Sequence, residues 1–150
     1  MSVNVEFIPL THDHARIVFE WQCDPQTRRY FKNPQPPEWE NHEGWIDKMI
    51  VSPCDHIFIL RSDDAFSGML RGSLSEDRNG LEISILIAPK LYGKGIASAA
   101  LAKLGTHFVQ DIFWAEIHTD NHASKRVFEK VGFCRKQQES KGVWLRYEKV

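Results

Sequence analysis

The chain has 150 residues, 42% hydrophobic and 26% charged, with 19 basic against 20 acidic side chains and a formal net charge of -1. That length suits one domain with its own core, and the charge balance excludes a phosphate-tracking nucleic-acid binder, which needs a clustered basic excess. No apolar run approaches the ~20 residues of a membrane span, and Met-Ser-Val-Asn-Val-Glu lacks the basic and apolar regions of a signal peptide. Cys23, Cys54 and Cys134 are far apart with no Cys-x-x-Cys spacing, so they read as reduced thiols of a cytoplasmic protein. Of five tryptophans, Trp21, Trp39 and Trp45 share one short N-terminal stretch.

Val3, Val5 and Phe7 alternate with polar residues up to Pro9 and predict a first strand. Thr11 then caps a helix whose apolar stripe is Ala15, Val18 and Phe19. Ile17 and Trp21 lie four apart beside that stripe, enough for a second buried surface. Asp24-Pro25 ends the helix and starts a short turn through Arg28, Arg29 and Tyr30, while Asn33-Pro-Gln-Pro-Pro37 is too rich in proline for regular structure. Residues 38–50 read as a helix burying Trp45, Met49 and Ile50. Strands follow at 57–60 and 66–74, and Arg78-Asn79-Gly80 is a turn signal joining the second to an antiparallel strand at 82–87. In that last strand Ile83, Ile85 and Ile87 alternate with Glu82, Ser84 and Leu86. Ile96, Ala97, Ala100, Leu101, Leu104 and Phe108 form a helical stripe, and Phe113, Ala115 and Ile117 another strand. Asn121 opens a helix with Ala123, Val127, Phe128 and Val131 inward, and Gly132 closes it. Strands around 133–137 and 143–149 finish a mixed α/β domain with an antiparallel centre, expected to be a single unit over 1–150.

The strongest local signal is Pro89-Lys-Leu-Tyr-Gly-Lys-Gly-Ile-Ala97, between a strand and a helix. Glycines let the backbone turn sharply and approach a ligand closely. Free amides at the helix start then favour an anion such as pyrophosphate. A tight turn with a glycine cap would use the same residues. Gly-Lys is followed by Gly-Ile, so this is not a P-loop, and the third glycine of the dinucleotide fingerprint is missing.

The loop and its neighbours resemble the acyl-CoA-binding motif of the GNAT superfamily of N-acetyltransferases. Its Arg/Gln-x-x-Gly-x-Gly/Ala pattern falls on Tyr92-Gly-Lys-Gly-Ile-Ala97, with Tyr92 in place of the usual Arg or Gln. Asn121, Ser124 and Phe128-Glu-Lys-Val-Gly-Phe133 are similar to the family's second signature, Asn-x-x-Ala/Ser followed by Tyr-Glu-Lys-x-Gly-Phe. The resemblance implies an α/β (α+β) GNAT domain: a mixed, mostly antiparallel sheet flanked by helices, with splayed fourth and fifth strands holding the acyl-CoA. It implies direct transfer of an acetyl group from acetyl-CoA to a primary amine; none of the seven histidines forms a ligand motif such as His-Glu-x-x-His, so no metal is expected. Main-chain groups of Ile85, Leu86 and Ile87 would face the pantetheine and thioester, an amide there stabilising the oxyanion. The amides of Tyr92, Gly93, Lys94, Gly95, Ile96 and Ala97 would hold the pyrophosphate, and Asn121 and Ser124 the pantetheine.

An amine must be neutral to attack, so a base is needed. Glu82 is the first candidate, and an ordinary charged strand end is the alternative. His118 shares a face with Glu116 on the next strand and is of a type that carries protons near neutrality. A solvated strand end is the simpler reading of His118. Many family members carry a tyrosine as general acid where this chain has Phe128, which cannot donate a proton. Thiolates leave with a pKa near that of free thiols, ~8.5, so departure without an acid is chemically feasible.

The region carrying Trp21, Arg28, His42 and Trp45 resembles the acceptor side of GNAT enzymes that acetylate nucleotide-linked amino sugars, although Gln22-Cys23 stands where those have Arg-Asn. Tryptophan faces stack on sugars, and Arg28 or Arg29 can pair with phosphate; packing of Trp21 and Trp45 between helices is the alternative. The expected acceptor is a small-molecule amine. Ribosomal-protein N-terminal acetylation and a non-catalytic acyl-CoA-binding domain are competing readings. Neither nucleic acid nor membrane is an expected partner, and the chain is expected to be a monomer or homodimer.

Overall fold

The computed structural model describes residues 3–74, 80–137 and 141–150. Strand β1 (Glu6–Pro9) pairs antiparallel with β2 (Asp55–Ser62), β2 with β3 (Ala65–Leu74), and β3 with β4 (Leu81–Ile87). Then β4 runs parallel to β5 (Phe113–His118), and β7 (Trp144–Lys149) lies between β5 and the short β6 (Cys134–Arg135). Among the described residues the order is β1-β2-β3-β4-β5-β7-β6. Antiparallel neighbours need only a turn, whereas the parallel pair needs a crossover. The crossover consists of α4 (Ile96–Leu101) and α5 (Leu104–His107). Of the turn expected at Arg78-Asn79-Gly80, only Gly80 falls within the described residues.

Each face of the sheet is covered by its own helices, because side chains along a strand alternate between faces. On one face, Ile57, Ile59, Met69 and Leu86 pack with Val18 and Trp21 of α1 (Ala15–Cys23) and Ile46 and Met49 of α3 (Trp39–Val51). On the other, Leu81, Ile83, Ala115, Ile117 and Leu145 pack with α4, α5 and Phe128 of α6 (His122–Lys130). Gly68 sits where β3 and β4 run close: a Cβ there would stand 2.2 Å from the Leu86 carbonyl oxygen.

Several helical faces differ from expectation. The buried stripe of α1 is Ala15, Val18 and Trp21, with Phe19 half-buried. In α3 the inward positions are His42, Ile46 and Met49, spaced by three and four residues, while Ile50, one step further round, is 42% exposed. Ala123 is exposed on the first turn of α6. The stripe from Ile96 to Phe108 is cut in two at Lys103, whose ammonium donates to the Val5 carbonyl (2.6 Å) just before Gly105, a weak helix former.

Candidate active site

The parallel strands β4 and β5 share only two register pairs, Leu81 with Phe113 and Glu82 with Trp114. Beyond these the strands diverge, so the edge of β4 at 83–87 has no ladder partner on the β5 side among the described residues. A cleft of about 970 Å³ opens in the gap. Its far end is the glycine loop: a 3-10 turn (Pro89–Leu91), then Tyr92, Gly93 at φ 77° and Gly95 at φ 80°. Left-handed backbone at both positions suits glycine and is strained for other residues. Gly95 caps α4, and a Cβ on Gly93 would have no atom within 4 Å, so the loop presents bare backbone to open space.

All the residues expected to face acetyl-CoA line this cleft: Ile85, Leu86 and Ile87 on β4, Tyr92, Gly93, Lys94, Gly95, Ile96 and Ala97 in the loop, and Asn121 and Ser124 at the start of α6. Asn121 is also the helix cap, its Oδ1 accepting from the Ser124 amide at 3.2 Å. The fit to an acyl-CoA rests on this shape: an unpaired strand edge for an amide-bearing arm, leading to a backbone turn that suits an anion.

Glu82 and His118 also line the cleft. Burial pushes the Glu82 carboxyl above its ordinary value, and the neighbouring Glu116 raises it further, while Lys32, Arg71 and Arg146 pull it down. Among the described residues these cations and Glu116 come from the proline-rich loop, β3, β7 and β5 respectively. His118 is held differently. Its Nδ1 accepts the Asp120 N–H at 3.0 Å, which leaves the proton of the neutral ring on Nε2. The ring lies between Tyr30 (5.2 Å) and the edge-on Trp144 (5.3 Å). Phe128 is 4% exposed and packs edge-on against Phe133 at 4.9 Å.

Of the residues expected to meet the acceptor, Arg28, His42 and Trp45 line a second depression, and Arg28 alone of the four also lines the cleft. Trp21 is 7% exposed and belongs to the core beneath α1. His42 is 3% exposed and donates from Nε2 to the Ala15 carbonyl at 2.8 Å, tying α3 to α1. Trp45 stacks on His42 and borders a separate depression of about 650 Å³ with Gln22 and Pro36. Arg28 borders both cavities, but its guanidinium is engaged: Nη1 donates to the Gln22 carbonyl (3.0 Å) and Nη2 to the Asn33 carbonyl (2.7 Å), clasping the loop to α1. Tyr30, Lys32 and Trp144 line the cleft. Trp144 is the cross-strand partner of His118 and shares its face, a pairing that only the assembled sheet creates. Trp39 packs edge-on against Phe19, with the Arg16 guanidinium 4.2 Å over its ring.

Residues 4–134 match the family model described as an acetyltransferase (GNAT) domain. None of the curated proteins matches the chain significantly. Among solved structures, the chain is similar to RimL, a ribosomal alpha-N-protein acetyltransferase in complex with coenzyme A, at a TM-score of 0.85 and 16% identity over 97% of this chain and 93% of that one. It is similar to the spermidine N-acetyltransferase of Vibrio cholerae in complex with CoA and spermine, at 0.85 and 16% over 97% and 94%. It is also similar to the microcin self-immunity acetyltransferase MccE in complex with acetyl-CoA and AMP, at 0.81 and 14% over 97% and 92%. With its diverging parallel strands, its glycine loop and a family match spanning most of its length, the chain belongs to the GNAT acetyltransferase family and is an acetyl-CoA-dependent N-acetyltransferase.

Proposed function

We propose that the protein moves an acetyl group from acetyl-CoA directly onto a primary amine of a small molecule, with Glu82 as general base. One observation carries the reading: a partly buried carboxylate with a raised pKa stands where β4 and β5 begin to part, in the same cleft as the glycine loop. Acetyl-CoA supplies the activated acyl group as a thioester. The loop amides hold the pyrophosphate, and Asn121 and Ser124 steady the pantetheine. A β4 amide at 85–87 takes the charge that develops on the carbonyl oxygen. Glu82 accepts the amine's proton, directly or through a water, which its raised pKa favours. His118 is a poorer base, because the Asp120 amide occupies its free lone pair. With Phe128 in the apolar wall, the thiolate leaves without a dedicated acid.

The acceptor side supports a slim amine over a polypeptide N-terminus, because the Lys32–Glu116 bridge (2.8 Å) crosses it from the proline-rich loop to β5. An amino group on a nucleotide-linked sugar remains the finer reading. Tyr30 and Trp144 offer ring faces, and the exposed Arg29, which also lines the cleft, is the phosphate partner in place of Arg28. The test is thiol release from acetyl-CoA with a panel of UDP-amino-sugars, polyamines, aminoglycosides and peptides. Turnover on small amines is expected; turnover on peptides alone overturns the reading.

A further inference from the structure

The acceptor half of the cleft already holds a primary amine, one belonging to the chain itself. Lys32 donates from Nζ to Glu116 Oε1 at 2.8 Å, and its ammonium lies 5.1 Å over the Trp144 ring. Glu116 follows Trp114, the cross-strand neighbour of Glu82, by two residues, so it faces the same side of the sheet. Of the described lysines that line the cleft, Lys94 belongs to the glycine loop and Lys32 to the acceptor side. The backbone that carries Lys32 is fixed, because Arg28 grips the carbonyl of the next residue, Asn33, at 2.7 Å. The side chain is held only by an exposed ion pair and a ring face: it is 60% exposed, on a flexible four-carbon stem that can leave Glu116 for the reaction centre. A tethered nucleophile of this kind reacts without the entropy loss of a second encounter.

We propose that Lys32 is a self-acetylation site: with acetyl-CoA bound and no acceptor present, the enzyme acetylates its own Lys32 Nζ. The inference rests on the acetyltransferase reading of this cleft. The ammonium first gives one proton to Glu82 or water. The neutral nitrogen attacks the thioester carbonyl, an N–C bond forms, and the C–S bond breaks with its electron pair on sulfur. The nitrogen's second proton goes to the thiolate, so the products are acetyl-lysine, the CoA thiol and one released proton. The resulting amide carries no charge. Glu116 loses its counter-ion and the loop loses its tie to β5, so the modification alters the acceptor side.

The experiment incubates the purified full chain with acetyl-CoA and no amine, then locates acetyl groups by peptide mass mapping. The expected result is one acetyl group on the peptide holding Lys32, at a rate per molecule independent of protein concentration, saturable in acetyl-CoA and suppressed by excess free CoA. Intact Lys32→Arg protein, which keeps a cation for Glu116 but has no amine to acylate, should gain none. Acetyl groups spread over surface lysines and insensitive to free CoA would overturn the inference, as would a rate that climbs with protein concentration. An unmodified Lys32 in a preparation that releases thiol with some added amine overturns it while leaving the enzyme reading intact. No thiol release with any amine and no acetylated Lys32 overturns both.

Discussion

The two halves of the cleft are built from different material. The proposed acyl-CoA half is main chain: left-handed glycines at 93 and 95, the unpaired edge of β4, and a helix start capped by Asn121. The proposed acceptor half is side chain: Lys32, Glu82, Glu116, His118 and Trp144, converging from a loop and three strands. Backbone geometry tolerates most changes of side chain and fails only where φ or close approach is violated. The acceptor half depends on charges and rings that one substitution removes. A fixed cofactor end joined to a replaceable acceptor end is what lets one fold serve many amines.

The largest effect expected from breaking this division is in the acceptor half. Glu82→Gln should lower kcat by ~10²-fold or more, the usual contribution of a general base, with little change in the KM for acetyl-CoA. Steady-state kinetics decides, and wild-type kcat would remove Glu82 as the base. Gly95→Val attacks the other half. A left-handed conformation costs an L-residue about 1–2 kcal/mol, more when β-branched, so CoA binding should weaken by roughly tenfold in calorimetry. Should Gly95→Val bind CoA normally while Glu82→Gln does not, the two halves would have to exchange roles.

A subtler effect concerns charge. As the proposed base Glu82 would work as a carboxylate, so kcat/KM should rise with pH through its pKa, which burial first and Glu116 second have raised. Lys32→Met removes a cation that opposes that shift, and the acidic limb should move to higher pH; a limb that stays in place would uncouple Lys32 from Glu82. The smallest effect lies outside the cleft. Burial holds His42 below its ordinary 6.5, against the Ala15 carbonyl and Glu43. Its folded pKa is the lower one, so the unfolded chain binds the extra proton. Stability from His42 is complete above about 6.5 and is lost as pH falls toward the folded value. Thermal melts should show Tm declining through that window, and a flat Tm would deny His42 this structural role.

The grouping of the glycine loop and the α6 start along one cleft has parts that are neighbours in the chain. Gly93 and Gly95 lie two residues apart, and Asn121 and Ser124 lie within one helical turn. The proposed acceptor end was not legible along the chain, since Lys32 meets Glu116 across 84 positions and His118 meets Trp144 across a strand pair. Trp21 and His42 show the opposite difficulty. Helical periodicity reveals that α1 and α3 have an apolar face, but it does not distinguish a tryptophan or histidine packed in that face from one lining a cavity. Both are buried in the sheet–helix interface, and His42 also borders the second depression.

By itself the sequence determined a near-neutral α/β chain, the order of its strands and helices, the loop that turns at Gly93 and Gly95, and the carboxylate at Glu82. These depend on local periodicity, turn chemistry and short motifs, which act over a few residues. Tertiary structure alone decided that β4 and β5 part after two pairs, that Glu116 and Lys32 stand near Glu82, and that Trp144, not Trp21, walls the cleft. Those outcomes follow from which strands neighbour one another and which face each helix covers, and both are properties of the assembled sheet.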